Sequence, residues 1–182
     1  LLKYTTVTVK KDATIEDPMA DVQAALELIE NNRQQFAIAD HQLAMLGFSG
    51  GGHLAAASAV HGPRRPDCLL LGYPGIVHSD LRALECPDIV ESVDSDTPPC
   101  FLFSTADDEI TPPVHVLTFA TALAKQGIKT ELHMFMHGTH GLSLGTKLTA
   151  DENPEFMNER FAQWVPLSLQ WLKELWKSSL IS

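Results

Sequence analysis

Residues 45–57, MLGFSGGGHLAAA, decide how the rest of the chain is read. An apolar run from Leu43 to Phe48 ends at a serine set among glycines and passes without a linker into a string of alanines. A buried strand entering a small-residue helix needs a sharp turn at that point. Gly47-Phe48-Ser49-Gly50-Gly51 fits the pattern G-x-S-x-G, in which the serine occupies a strained strand-to-helix turn and its hydroxyl stands clear of the backbone. The glycines let strand and helix approach closely, and the alanines of HLAAASAV let that helix pack tightly on a sheet. The competing reading is a tight structural turn with no chemistry attached.

A nucleophilic serine is inert unless a base takes its proton and a third group orients that base. In this setting an acid is expected after a later strand and a histidine after that. CFLFSTADDEITP, residues 100–112, puts Asp107 and Asp108 just past an apolar run, and TELHMFMHGTHGLSL, residues 130–144, puts His140 in a Gly-flanked loop past the last such run. Either aspartate alone would read as a turn former or helix cap. Their order and placement favour the catalytic reading, with Ser49 as nucleophile and the Gly50 amide as oxyanion donor.

The chain has eight histidines, so His140 has to be chosen against the others. His133 and His137 alternate with Phe135 on one face of a strand-like segment, which makes them core or rim residues. Their i, i+4 spacing would suit metal ligation only on a helix, and the segment reads as strand, so no metal site is expected. No cofactor motif is seen either. His53 falls in the first turn after the elbow, where it lines the site or packs against a loop. His41, His61, His78 and His115 have no neighbours that raise them above surface or loop positions.

Four runs, QLAMLGF, CLLLGYP, CFLFST and TELHMFM, are bounded by Gly, Pro, Asp or Ser, and the first three read as strands buried on both faces. Helical patterns lie between them. Asp17 followed by Pro18 reads as a cap opening a helix with Met19, Val22, Leu26 and Ile29 on its apolar face. Thr111 followed by Pro112 reads likewise, with Val116, Phe119, Ala120 and Leu123 facing inward and Gly127 closing the helix. A third helix should follow Ser49. A last one should use Phe161, Leu169, Leu172 and Trp176, bent or interrupted at Pro166. The alternation implies a mostly parallel sheet with helices on both faces, with function beyond the C-terminal ends of its strands. Residues 75–99 and 143–160 read either as rims of the site or as ordinary surface loops, and the pocket walls are expected from loops 75–99 and 143–165, with Trp164 and Phe156 either lining a slot or packing in the core.

With 182 residues, 45% hydrophobic and 20% charged, the chain is expected to form one domain over residues 1–182. A net charge of −10, with no basic run interleaved with aromatics, argues against nucleic acid and anionic membranes as partners. Cys68, Cys86 and Cys100 are odd in number and lack C-x-x-C spacing, which points to a reducing, cytoplasmic setting. No stretch of 18 apolar residues or basic-apolar leader is seen, and YTTVTV, residues 4–9, reads as a strand close to the start of the chain.

GFSGGGHLAA, LGYP, TPPCFLFSTADDEITP and HGTHGLSL together resemble the corresponding motifs of α/β-hydrolases, especially the branch of acetyl esterases, xylan esterases and feruloyl-esterase-like proteins. The resemblance implies a serine hydrolase of small acetyl-type esters, carbohydrate esters among them, working through an acyl-enzyme without a cofactor. Pro112 aligns with the proline of the T-A-x-D-x-x-V-P stretch, which assigns the acid to Asp108, with Asp107 as the fallback, and the histidine of G-G-H-G falls on His140. The family usually has Ala where this chain has Gly50. Its H-G-G-G loop, which supplies a second oxyanion donor, has no counterpart in residues 1–40, so that loop and the first strands are expected upstream of Leu1. A sheet edge left uncovered would invite pairing between copies. A serine peptidase of the same fold and a non-catalytic binding module remain as alternatives.

Overall fold

The computed structural model describes residues 1–6, 9–77 and 88–179. Four strands, β1 (Ala44–Phe48), β2 (Cys68–Gly72), β3 (Cys100–Thr105) and β4 (Thr130–Phe135), form one sheet in that order. All three pairings are parallel. Each strand lies within one of the apolar runs, and every residue of β2 and β3 is buried, as expected for strands covered on both faces.

The helices are α1 (Glu16–Asn31), α2 (Ser49–His61), α3 (Val114–Lys125) and α4 (Trp164–Ser179). The strands follow one another across the sheet, so the right-handed connections through α2 and α3 fall on the same face. There the alanines of α2 and Val116, Phe119 and Leu123 of α3 pack on Leu69, Leu71, Cys100 and Leu102. The other face carries Leu70, Phe101, Phe103 and Phe135 against Phe161, Trp164, Trp171 and Leu172. α1 sits outside α2, with Val22 and Leu26 against Leu54. Among the described residues no helix is long and apolar enough to cross a membrane.

Several local expectations change. Tyr4–Thr6 is irregular rather than a strand: the Thr5 N–H donates to the Asp21 carboxylate at 2.6 Å, and the Val9 and Lys10 N–H groups close a turn on the Thr6 carbonyl. Val7 and Thr8 lie outside the described residues. α1 begins ahead of Asp17, whose carboxylate accepts from the Thr14 N–H and pairs with Lys10; Pro18 thus falls third in the helix, where its missing N–H costs nothing. α4 is continuous through Pro166 for the same reason. Its buried stripe runs through Trp171 and Leu172, and Leu169 faces solvent. α3 starts at Val114, leaving Thr111 free for another role.

The join between β1 and α2 is packed backbone against backbone. A Cβ on Gly47 would clash with the Gly51 carbonyl oxygen and lie 2.7 Å from its carbon and 2.9 Å from the Gly52 Cα. A Cβ on Gly52 would meet Pro74 at 2.9 Å, whereas one on Gly50 would meet nothing within 4 Å. Gly47→Ala is therefore expected to lower the unfolding free energy by about 3 kcal/mol, because backbone must move. Gly50→Ala should leave it unchanged or raise it by up to about 1 kcal/mol through helix propensity. Denaturant unfolding of the two variants checks the contrast.

Candidate active site

Ser49 has φ +53°, a left-handed conformation that an L side chain rarely adopts. The strain comes from the turn itself: extended backbone at Phe48 must become helix within one residue. The result is a hydroxyl projecting above the C-terminal end of β1, beside the helix start where the first N–H groups, Gly50 among them, have no partner within the helix.

The loop after β4 brings His140 to that hydroxyl, with Ser49 Oγ and His140 Nε2 2.8 Å apart. The loop after β3 brings the acid to the other ring nitrogen, His140 Nδ1 lying 2.8 Å from Asp108 Oδ2 and 3.1 Å from Oδ1. Asp108 is 3% exposed, which would be costly for a lone carboxylate. It is well supplied with donors: the Ile110 and Thr111 N–H groups both reach Oδ1 at 2.9 Å. Asp107 points elsewhere, pairing with His137 at 2.9 Å on the surface. Of the two aspartates, only Asp108 reaches His140.

Thr111 and Tyr73 complete the cluster. The Thr111 hydroxyl lies 3.0 Å from the Tyr73 carbonyl, 3.1 Å from Asp108 Oδ2 and 3.2 Å from His140 Nδ1. The sequence pattern marked this residue as a helix cap. Its inward role depends on Tyr73, which is remote in sequence. Tyr73 itself has φ +37° and is held in that conformation at both ends. Its N–H donates to the Phe103 carbonyl at 2.7 Å, and its hydroxyl accepts from the Ser143 N–H at 2.9 Å, tying the histidine loop down. Its ring meets His140 edge-on, with centroids 5.0 Å apart. Burial, with the Asp108 charge adding to it, pushes the Tyr73 phenol up to about 12, so it is neutral beside the imidazole.

Two further histidines brace the rim. His53 Nδ1 lies 2.7 Å from the Gly75 carbonyl, and His115 Nδ1 accepts from the Ile76 and Val77 N–H groups at 2.8 and 3.0 Å. His115 is thus a buried structural residue and not the surface position expected of it. His133 packs on Phe101 and Phe135, as the alternation implied. His78 lies outside the described residues.

A cleft of about 480 Å³ opens beside Ser49 and Gly50. Its walls come largely from the N-terminal segment, through Tyr4, Thr5, Ile15 and Pro18, and from Leu54, Gly75 and Ile110. The expected wall from residues 143–165 is absent from this lining. Trp164 instead stacks on Phe103 in the core with centroids 4.4 Å apart, and Phe156 packs against the same cluster. That Tyr4 and Ile15 border the site was not legible locally, because it follows from α1 docking on α2.

Residues 3–65 match the model of the BD-FAE family, and residues 84–156 match that of the prolyl oligopeptidase family. Among solved structures, the chain is similar to MGS-M1, an alpha/beta hydrolase enzyme from a Medee basin deep-sea metagenome library. The two share 35% identity and a TM-score of 0.84, over 91% of this chain and 67% of that one. It is similar also to an acetyl ester-xyloside bifunctional hydrolase from Caldicellulosiruptor lactoaceticus, with 30% identity and a TM-score of 0.78, over 95% of this chain and 70% of that one. An acetylxylan esterase of Xylanibacter ruminicola is 24% identical over 159 residues, 74% of this chain and 32% of that protein. The chain spans about a quarter to a third of the length of the curated relatives it matches.

Replacing Thr111 by valine removes the hydroxyl and keeps the shape. The variant is expected to lose about 1–2 kcal/mol of unfolding free energy, since the buried Tyr73 carbonyl is left without that donor. Thr111→Ser should retain most of the stability. Thermal and denaturant unfolding of the pair measures the difference.

Proposed function

The chain belongs to the α/β-hydrolases, and from that premise we propose that it is a serine carboxylic ester hydrolase acting on small acetyl-type esters. The observation that carries this reading is the continuous chain of contacts from Ser49 Oγ through the His140 ring to Asp108, with Ser49 on a strained turn. Acetyl groups on carbohydrates are the first natural substrates to consider, given the acetyl ester-xyloside hydrolase and acetylxylan esterase among the relatives. The buried, unpaired thiols of Cys68 and Cys100 support a cytoplasmic setting.

In the proposed reaction His140 Nε2 takes the Ser49 proton as Oγ attacks the ester carbonyl carbon. Asp108 holds the imidazole in the tautomer with its proton on Nδ1 and stabilises the imidazolium that forms. The Gly50 N–H faces the developing oxyanion, where a preorganised donor contributes most. The tetrahedral intermediate collapses as His140 returns its proton to the leaving alcohol oxygen. Water then repeats the sequence on the acyl-enzyme, releasing the acid and restoring Ser49.

The match of residues 84–156 to the prolyl oligopeptidase family keeps amide hydrolysis as a second reading. The same triad would serve it, so substrate has to decide: p-nitrophenyl acetate turnover without cleavage of a peptide p-nitroanilide favours the ester hydrolase.

A fluorophosphonate probe is expected to label Ser49, with labelling abolished in Ser49→Ala. Asp108→Asn should reduce kcat by about 10⁴, the order seen when a triad acid no longer sets the tautomer. Asp107→Asn should change it less than tenfold. Labelling that survives in Ser49→Ala, or equal losses in the two asparagine variants, would remove the basis for the triad.

A further inference from the structure

We infer that Trp164 is a positioning residue: together with Tyr73 it clamps the strained backbone of Ser143, and through that clamp it fixes the reach of His140 toward Ser49. This rests on the ester hydrolase reading of Ser49, His140 and Asp108.

His140 sits in a loop that is held on both sides of it. Ahead of the histidine, the Asn158 side-chain amide donates to the His137 carbonyl at 2.8 Å and the Thr105 hydroxyl to the Gly138 carbonyl at 2.7 Å. Beyond it, Ser143 has φ +54°, a left-handed conformation that serine rarely adopts. Such a conformation persists only where the surroundings over-determine it. Two side chains do so here. The Ser143 N–H donates to the Tyr73 hydroxyl at 2.9 Å, and the Ser143 carbonyl accepts from Trp164 Nε1 at 2.9 Å.

Trp164 also touches the other half of the site. It opens α4 with its ring buried, stacked on Phe103 and edge-on to Phe48 with centroids 5.7 Å apart. Phe48 is the residue before the nucleophile. One rigid indole therefore links the strand that delivers Ser49 to the loop that delivers His140, and the 2.8 Å contact between Oγ and Nε2 is set across that link. The indole has a single donor, which is spent on the Ser143 carbonyl. A misplacement of about 1 Å at the reacting groups can slow a reaction about 100-fold, so a bond remote from the substrate can govern the rate.

Trp164→Phe keeps an aromatic ring beside Phe103 and removes the N–H. We expect kcat on p-nitrophenyl acetate to fall at least about tenfold with KM changed less than about threefold, because the bond orients the base and does not bind the ester. Rates are taken per serine titrated with the fluorophosphonate, so a change in the folded fraction does not enter. Trp171→Phe makes the same exchange further along α4, where the ring packs on Phe101, and should change kcat less than about twofold. Ser143→Gly supplies the rescue. Glycine takes up positive φ freely, so a loop with glycine there depends less on the clamp, and the Trp164→Phe, Ser143→Gly double variant should recover kcat at least about threefold over Trp164→Phe. A smaller fall in Trp164→Phe, an equal fall in Trp171→Phe, or no recovery with glycine overturns the positioning role and leaves the ester hydrolase standing. Should Trp164→Phe fail to fold, Tyr73→Phe carries the test. It removes the other hold on Ser143 and keeps a ring beside His140; a loss of kcat that Ser143→Gly recovers supports the clamp, and any other result overturns it. A wild-type chain that neither turns over the ester nor takes the probe overturns the underlying reading and the role of Trp164 with it.

Discussion

The close approach of β1 and α2 is the constraint on which the rest of this structure depends. Gly47 leaves no room for a side chain against the carbonyl of Gly51, and the chain turns from strand to helix at Ser49 with a positive φ. The cost of that conformation is of order 1–3 kcal/mol and persists only where the surroundings over-determine it. Here they do so with an alanine-rich helix pressed on the sheet and with Pro74 packed on Gly52. With the serine placed this way, the C-terminal ends of β3 and β4 are the neighbouring positions from which an acid and a base can reach it. Both arrive on loops leaving those strands.

A second layer holds those loops in place. Tyr73, itself bent into an unfavourable conformation, spans the cluster by accepting from Ser143 on the histidine loop and from Thr111 on the acid loop. His53 and His115 secure the segment that follows Tyr73. None of these side chains needs to touch a substrate to matter. They remove freedom from the groups that do, and a preorganised site avoids paying for reorganisation during reaction.

The sequence was most informative where structure depends on near neighbours. Apolar runs bounded by turn residues located all four strands of the described residues, and the order of Ser49, Asp108 and His140 matched where the fold brings them together. It was least informative where a residue's partner is remote. Thr111 and Asp17 carry helix-cap chemistry, yet one turns inward to Tyr73 and the other pairs with Lys10. His115 has no distinguishing neighbours in the chain and is fixed by amides almost forty residues away. Tyr4–Thr6 has strand propensity, but propensity cannot supply a pairing partner, and Asp21 captures the Thr5 amide instead. Helical periodicity placed Leu169 inside, while the observed start of α4 turns Trp171 inward in its stead.

Asp108 has one oxygen committed to the amides of its own turn and the other facing His140. Acid and turn are thus a single inheritable unit. Glutamate, one methylene longer, would carry its carboxylate past the Ile110 and Thr111 amides, and any change in the length of the turn would move those amides away from the oxygen they hold. The flanking Asp107 and Glu109 are exposed and under no such restriction. Exchanging either outer acid leaves that turn intact, while exchanging Asp108 disturbs the turn and the histidine together.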